Sequence, residues 1–197
     1  MILASDADQV FLDIYPTWKS FAENILGREL FDMNDSFSFI ERYNISKREF
    51  FKVSVMFNDS NQWEHIKPIQ SGVDALNMVL DMGHEVHIIT SVPEEVKEKR
   101  GKQFSRLFGR HYNKTLFMHV SKSNYNNFCS LPTKQKLLSD LCPIFYADDR
   151  WPHCGEAKNA NVPFIAFIKS SHCGDGKPID GVSIYSSLQQ AVYEFFK

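Results

Sequence analysis

The chain of 197 residues fills one ordinary domain and leaves room for a sizeable insertion, and 43% hydrophobic with 23% charged residues is ordinary for a chain that folds around a core. A formal net charge of −2 excludes the overall basic field that would hold a long nucleic acid, and the longest apolar runs, such as 162–168, fall far short of the ~20 residues a membrane helix needs. Cys129, Cys142, Cys154 and Cys173 are widely spaced with no CxxC pair, which argues against a zinc or redox motif and favours reduced thiols.

The chain begins Met1-Ile2-Leu3-Ala4 and meets Asp6 and Asp8 at once. It lacks the basic region and apolar stretch of a signal peptide, so a cytoplasmic location is expected. Residues 2–5 read as a short buried strand ending in an acidic loop. From 13 to about 30, Ile14, Trp18, Phe21, Ala22 and Ile25 recur at helical intervals until Gly27 breaks the pattern. Residues 31–66 are rich in Phe but lack strand spacing, so short helices and loops are expected there. A helix is predicted from Pro68 to Gly83, carrying Val73, Leu76, Val79 and Leu80. The β-branched run 85–91, bounded by Gly83 and Pro93, reads as a second buried strand. A charged helix follows from Pro93 to about Phe108, then an apolar run over 115–120, a Ser- and Asn-containing loop, and a helix over 134–141. Residues 144–147 read as a strand ending at Asp148-Asp149, residues 162–168 as another, and 187–196 as a closing helix. Strands alternating with helices predict an α/β fold whose parallel sheet is covered on both faces.

In an open parallel sheet, ligands collect beyond the carboxyl ends of the strands. Those ends carry Asp6 and Asp8, Thr90 and Ser91, and Asp148 and Asp149. Four carboxylates converging on one crevice repel one another unless a hard cation sits among them, and Mg²⁺ is the usual oxygen-ligated choice. Asp6, Asp8, Asp148 and Asp149 are therefore the candidate metal residues. Two hydroxyls beside that cation suit the oxygens of a phosphate. Spacing has its own reason: just past a strand end, residues two apart project the same way while Ala7 between them points elsewhere.

The order Asp6-Ala7-Asp8-Gln9-Val10 after one strand, Ile89-Thr90 after a second and Asp148-Asp149 after another resembles the haloacid dehalogenase superfamily. The resemblance implies a three-layer αβα Rossmann-like core with a parallel sheet. It also implies that Asp6 attacks phosphorus, and that Asp8 protonates the leaving oxygen and then activates water. Magnesium would be held by Asp6, the Asp8 carbonyl and Asp148. Dehalogenases of the group need no such acid, so Asp8 points to phosphate chemistry. Many of the group's phosphatases have Gly-Thr or Gly-Val after the second Asp, where this chain has Gln9-Val10. The superfamily also uses a lysine beside the nucleophile. Lys134, Lys136 and Lys122 are candidates, with Lys134 the first choice because it begins the helix after Pro132-Thr133.

About eighty residues separate Asp8 from Thr90, more than a crossover helix needs. A helical cap over 15–68 is expected, inserted after the first strand into a core of 1–14 and 69–197. Its many aromatics mostly suit its own core, as aromatic rings usually do, but a minority could stack on a substrate base, Phe51 and Trp63 first among them. Residues Trp63 to Ser91, with Lys67-Pro68, Gly72-Val73-Asp74-Ala75-Leu76 and the 85–91 run, resemble the 5′(3′)-deoxyribonucleotidase family. That likeness implies a magnesium-dependent phosphatase acting on nucleoside monophosphates, with Ser91 also touching phosphate. Asp148-Asp149-Arg150 matches the family's last acidic motif and equally that of the 3′-phosphatase domain of polynucleotide kinases. The alternatives are thus a nucleic-acid 3′-phosphatase, a phosphatase of another small metabolite, and a catalytically silent binding module. The histidines lack ligand spacing and read as surface or core residues. Gly174-Asp175-Gly176 reads as a turn, and Trp151 either borders the pocket or packs beneath the sheet edge.

Overall fold

The structure, a computed structural model, describes residues 1–122, 131–170 and 176–197. In chain order it contains strand β1 (Ile2–Ser5), strand β2 (Leu12–Asp13), helices α1 (Ile14–Leu26), α2 (Phe39–Arg42) and α3 (Lys47–Asp59), strand β3 (Lys67–Pro68), helix α4 (Gln70–Asp81), strand β4 (Glu85–Thr90) and helix α5 (Lys97–Phe108). Strand β5 (Leu116–Val120), helix α6 (Lys134–Leu141), strand β6 (Phe145–Asp148), helix α7 (Trp151–Asn159), strands β7 (Phe164–Ile168) and β8 (Ser183–Tyr185), and helix α8 (Leu188–Phe195) complete it. Six strands form one parallel sheet in the order β5-β4-β1-β6-β7-β8. The predicted α/β architecture is therefore present.

Parallel strands are apolar on both sides because both faces of the sheet are covered. Alternation along the strands makes this concrete. Leu3, Ile88, Phe145, Ala147 and Ala166 belong to one core, with α4, α5 and α8. Ala4, Ile89, Tyr146, Ile165 and Phe167 belong to the other, with Leu138 of α6 and Trp151, Cys154 and Ala157 of α7. Trp151 stacks on Phe167 with ring centroids 4.0 Å apart, which settles its place against the sheet.

The long segment between β1 and β4 leaves and returns through the antiparallel pair β2–β3, where Leu12 faces Pro68 and Asp13 faces Lys67. Between them, α1 to α3 pack through rings. Trp18 stacks on Phe39 at 4.2 Å and on Tyr43 at 5.7 Å, and Phe57 meets Phe21 and Trp63 edge-on. Helix α1 stops where Gly27 takes the left-handed conformation, φ 66°, and α3 starts with a capping box between Ser46 and Glu49. The aromatic core of this segment is continuous with the core on the α4 side of the sheet.

Helix α7 and strand β8, like the short pair β2–β3, were not expected from the sequence. Helix α7 buries only Trp151, His153, Cys154 and Ala157 and has no broad apolar stripe to announce it. Strand β8 is three half-exposed residues on the sheet edge. The charged helix begins later than Pro93: a 3₁₀ turn over Glu94–Val96 precedes α5. Cys142 and Cys154 are free thiols, one exposed and one buried, while Cys129, Cys173 and the Gly174-Asp175 turn lie outside the described residues. Among the described residues, no helix is long and apolar enough to cross a membrane.

Candidate active site

Strand β1 sits between β4 and β6, so its carboxyl end opens at the middle of the sheet, and Asp6 follows it directly. The Asp6 amide donates to the Ala147 carbonyl at 2.8 Å, which prolongs the β1–β6 pairing by one step and fixes where its side chain leaves. The loop then folds around a buried Ala7, whose carbonyl accepts from Val10, Phe11 and Leu12 at 3.3, 3.1 and 3.0 Å. Gln9 adopts φ 61°, a left-handed conformation that glycine takes most readily. That left-handed turn is supported by its amide donating to Leu12 O at 2.6 Å and its side chain donating to Asp13 at 2.9 Å.

Lys134 lies at the start of α6, whose first turn is capped by Thr133 accepting from the Lys136 amide at 3.1 Å. Its Nζ donates to Asp6 Oδ1 and Asp148 Oδ2, each at 2.8 Å, with all three side chains buried. Lys136 instead pairs with Asp140 on the exposed side of the helix. Of the lysine candidates, it is Lys134 that reaches the carboxylates.

Asp148, at the end of β6, is held from several directions. It accepts from Tyr146 Oη and from the Arg150 amide at 2.9 Å, and lies 3.2 Å from His153 Nδ1. Asp6, Asp148 and Asp149 are all buried and can each offer one oxygen within 4.8 Å of the others. Burial pushes the Asp6 carboxyl up to about 7, against the attraction of Lys134 and with help from Asp148, Asp149 and Asp8. Burial, with Asp148 beside it, likewise drives Asp149 well above the carboxylate range. Burial also opposes ionisation of Asp148, but Lys134 and His153 outweigh it and hold that carboxyl well below its ordinary value. For Lys134, burial is outweighed by Asp148 and Asp6, so its ammonium is held above the usual range. Three carboxyls are thus buried within reach of one another, with Lys134 and Arg150 as nearby cations. The donor set is all oxygen. Both facts fit a hard divalent cation held by Asp6, Asp148 and Asp149.

Asp8 does not join this group. Its carboxylate turns to Arg100 of α5, whose Nη2 donates to both oxygens at 2.6 and 2.8 Å. Of the four acids expected around the ion, the structure therefore gathers three carboxylates, because a buried guanidinium claims the fourth. Thr90 is fully buried at the end of β4, and its Oγ1 has no hydrogen-bond partner among the described residues. Ser91 Oγ is paired with Ser121 Oγ at 2.8 Å. The two aromatics expected to face a ligand are placed differently from each other. Phe51 stands 71% exposed on α3, whereas Trp63 is buried against Phe57 with its indole N–H donating to Asn58 at 3.2 Å. Phe37 lies against Arg150, whose guanidinium is 4.0 Å from the centre of its ring.

Arg100, Tyr146, His153 and Ser121 were missed as site residues. Arg100 sits in the run Lys97-Glu98-Lys99-Arg100, where nothing distinguishes a buried cation from solvated ones. Tyr146 could have been found: two residues before Asp148 on one strand, it must project to the same face. His153 lies in the first turn of α7, and its approach to Asp148 can be foreseen only once 151–159 is read as a helix.

No protein-family model matches the chain, and no curated protein matches it by sequence. Solved structures do match in fold. A D,D-heptose 1,7-bisphosphate phosphatase from B. bronchiseptica, complexed with magnesium and phosphate, aligns with a TM-score of 0.57 at 9% identity, covering 99% of this chain and 97% of that one. A HAD-superfamily hydrolase from Ehrlichia chaffeensis aligns at 0.55 and 11% identity, covering 100% and 97%. A HAD family hydrolase from Deinococcus radiodurans with bound phosphate and sodium aligns at 0.55 and 10%, covering 96% and 92%. With its parallel sheet, its acidic strand ends and these neighbours, the chain has the fold of the haloacid dehalogenase-type hydrolases.

Proposed function

We propose that the protein is a magnesium-dependent phosphomonoesterase in which Asp6 takes the phosphoryl group of a small substrate and Asp8 serves as acid and then base, with a nucleoside monophosphate as the substrate class. The observation that carries this reading is the buried contact of Lys134 with Asp6 and Asp148, beside Asp149, at the carboxyl end of the central strands. Asp6, Asp148 and Asp149 would hold Mg²⁺, which when bound offsets the negative charge of phosphate and nucleophile.

The chain's own groups divide the remaining work. Lys134 orients Asp6 and offsets its charge, so that one carboxylate oxygen is aimed at phosphorus. Asp8, two residues on, gives a proton to the departing oxygen and takes one from the water that cleaves the aspartyl-phosphate. Thr90 supplies a hydroxyl whose hydrogen-bonding capacity is otherwise unused, suited to a phosphoryl oxygen. Ser91 stands next to it. Residues 15–68 act as a cap that limits the substrate to a small molecule, and rings of that segment, Phe37 and Phe51 among them, stack on its base. The likeness of residues 63–91 to deoxyribonucleotidases supports the nucleotide assignment.

A screen for magnesium-dependent phosphate release tests all of this. It should span nucleoside 5′- and 3′-monophosphates, sugar phosphates and 3′-phosphorylated oligonucleotides. Preference for mononucleotides is the expected result. Preference for sugar phosphates would replace the substrate class, preference for oligonucleotides would favour a nucleic-acid 3′-phosphatase, and no release from any substrate would overturn the enzymatic reading.

A further inference from the structure

Arg100 is 0% exposed and lies ninety-two positions along the chain from Asp8, yet its Nη2 donates to both oxygens of that carboxylate at 2.6 and 2.8 Å. A buried guanidinium is costly unless it is paired, so its placement here calls for a reason. The rest of its surroundings supply one. Nη1 donates to Gln103 Oε1 at 2.9 Å, and Gln103 Nε2 donates to the Ile66 carbonyl at 2.7 Å. The guanidinium carbon lies 4.8 Å from the centre of the Trp63 ring. Its Nε finds no partner among the described residues, so the side chain is not placed by hydrogen-bond satisfaction alone. Two of these neighbours, Trp63 and Ile66, belong to the last residues of the long insertion, just before β3 returns the chain to the sheet.

From this network we infer that Arg100 is the positioning residue for Asp8, and that it makes the orientation of that carboxylate depend on the return segment 63–66. The inference rests on the reading of Asp8 as acid and base. Asp8 lies within the tight loop after β1, and its side chain is 25% exposed, so the backbone turn alone does not fix the direction of its carboxylate. Two charge-assisted hydrogen bonds from one fixed nitrogen select a single orientation. The nitrogen is fixed in turn by Gln103 and by the Trp63 ring. A displacement of 63–66, as substrate settles beneath the insertion, would reach Asp8 through two side chains.

Leaving-group chemistry separates this role from mere support of the fold. p-Nitrophenolate departs without a proton, whereas an alkyl or sugar oxygen needs one, so misplacing the acid slows phosphoryl transfer to Asp6, read as kcat/KM, only for the second kind of substrate, while misplacing the base slows hydrolysis of the aspartyl-phosphate for both alike. Arg100→Met, Arg100→Lys and Gln103→Met would be compared with the unaltered protein on p-nitrophenyl phosphate and on an alkyl phosphate, with thermal unfolding of each variant recorded. Arg100→Met is expected to lose roughly tenfold or more in kcat/KM on the alkyl ester beyond its loss on the aryl ester. Arg100→Lys should recover part of that selectivity, and Gln103→Met should show a smaller loss of the same kind. Adding Arg100→Met to Asp8→Asn should then produce no further selective loss. Parallel losses in kcat/KM on both esters, or a selective loss that persists in the Asp8→Asn background, would overturn the inference. Asp8→Asn alone decides the underlying reading: if its kcat/KM does not itself discriminate between the two esters, the acid role of Asp8 fails first.

Discussion

A single ammonium, Lys134, stands 2.8 Å from the carboxylates of both Asp6 and Asp148, with all three side chains withdrawn from water. Removing it leaves buried negative charge unbalanced. Lys134→Met should therefore destabilise the protein by about 3–5 kcal/mol, read by urea denaturation without added metal. Magnesium should restore part of that loss, because a cation binding the folded state alone stabilises it by mass action. Denaturation curves unchanged by the substitution would show that the pair carries little net energy. Asp148 is the counterpart. Asp148→Ala removes one charged oxygen from the set Asp6, Asp148 and Asp149, and the magnesium concentration for half-maximal activity should rise; an unchanged titration would exclude Asp148 as a ligand.

Elements carry the next set of consequences. The loop after β1 is pressed against α4, where a Cβ added at Gly72 would meet Phe11 Cβ at 2.8 Å and the Val10 carbonyl at 3.0 Å. Neither atom is the end of a flexible side chain. Gly72→Ala should cost about 1–3 kcal/mol and shift the loop that carries Asp8, so stability and kcat should fall together. Stability equal to the unaltered protein would mean the loop yields freely. In the insertion, Trp63 is core and Phe51 is surface. Trp63→Ala should cost about 3–5 kcal/mol, whereas Phe51→Ala should leave unfolding nearly unchanged. For substrate selection, Phe37→Ala should reduce kcat/KM on a nucleotide by roughly tenfold more than on glycerol phosphate, the size expected from losing a stacked base. Equal losses on the two esters would remove the base-stacking role. These placements also mark where reading the sequence stops. Helical intervals in 13–30 and the apolar runs 85–91 and 144–147 reveal α1, β4 and β6, since their periods record how they are buried. Helix α7, with its small inner face, and the two-residue β2 and β3 leave no such record. Which ring of the insertion faces outward depends on how α1 to α3 cross, and composition does not encode that.

At the scale of the molecule, the parallel sheet does the assembling. Order β5-β4-β1-β6-β7-β8 brings the ends of β1, β4 and β6 side by side, so residues as far apart as Asp6, Thr90 and Asp148 meet at one edge. Much of this was legible, because a strand end followed by Asp, Thr or Asp-Asp is a local pattern. Arg100 was not, since its burial is a property of α5 against the insertion and not of its neighbours in sequence. In the proposed reaction Asp6 gives the attacking oxygen to phosphorus. The most direct measurement is rapid acid quenching during turnover of a phosphate monoester with magnesium, followed by mass spectrometry of the peptide holding Asp6. The account predicts a phosphoryl adduct on Asp6 that forms within one turnover and is absent from Asp6→Asn. Turnover with no adduct on Asp6, or with the phosphoryl group on another residue, would contradict it.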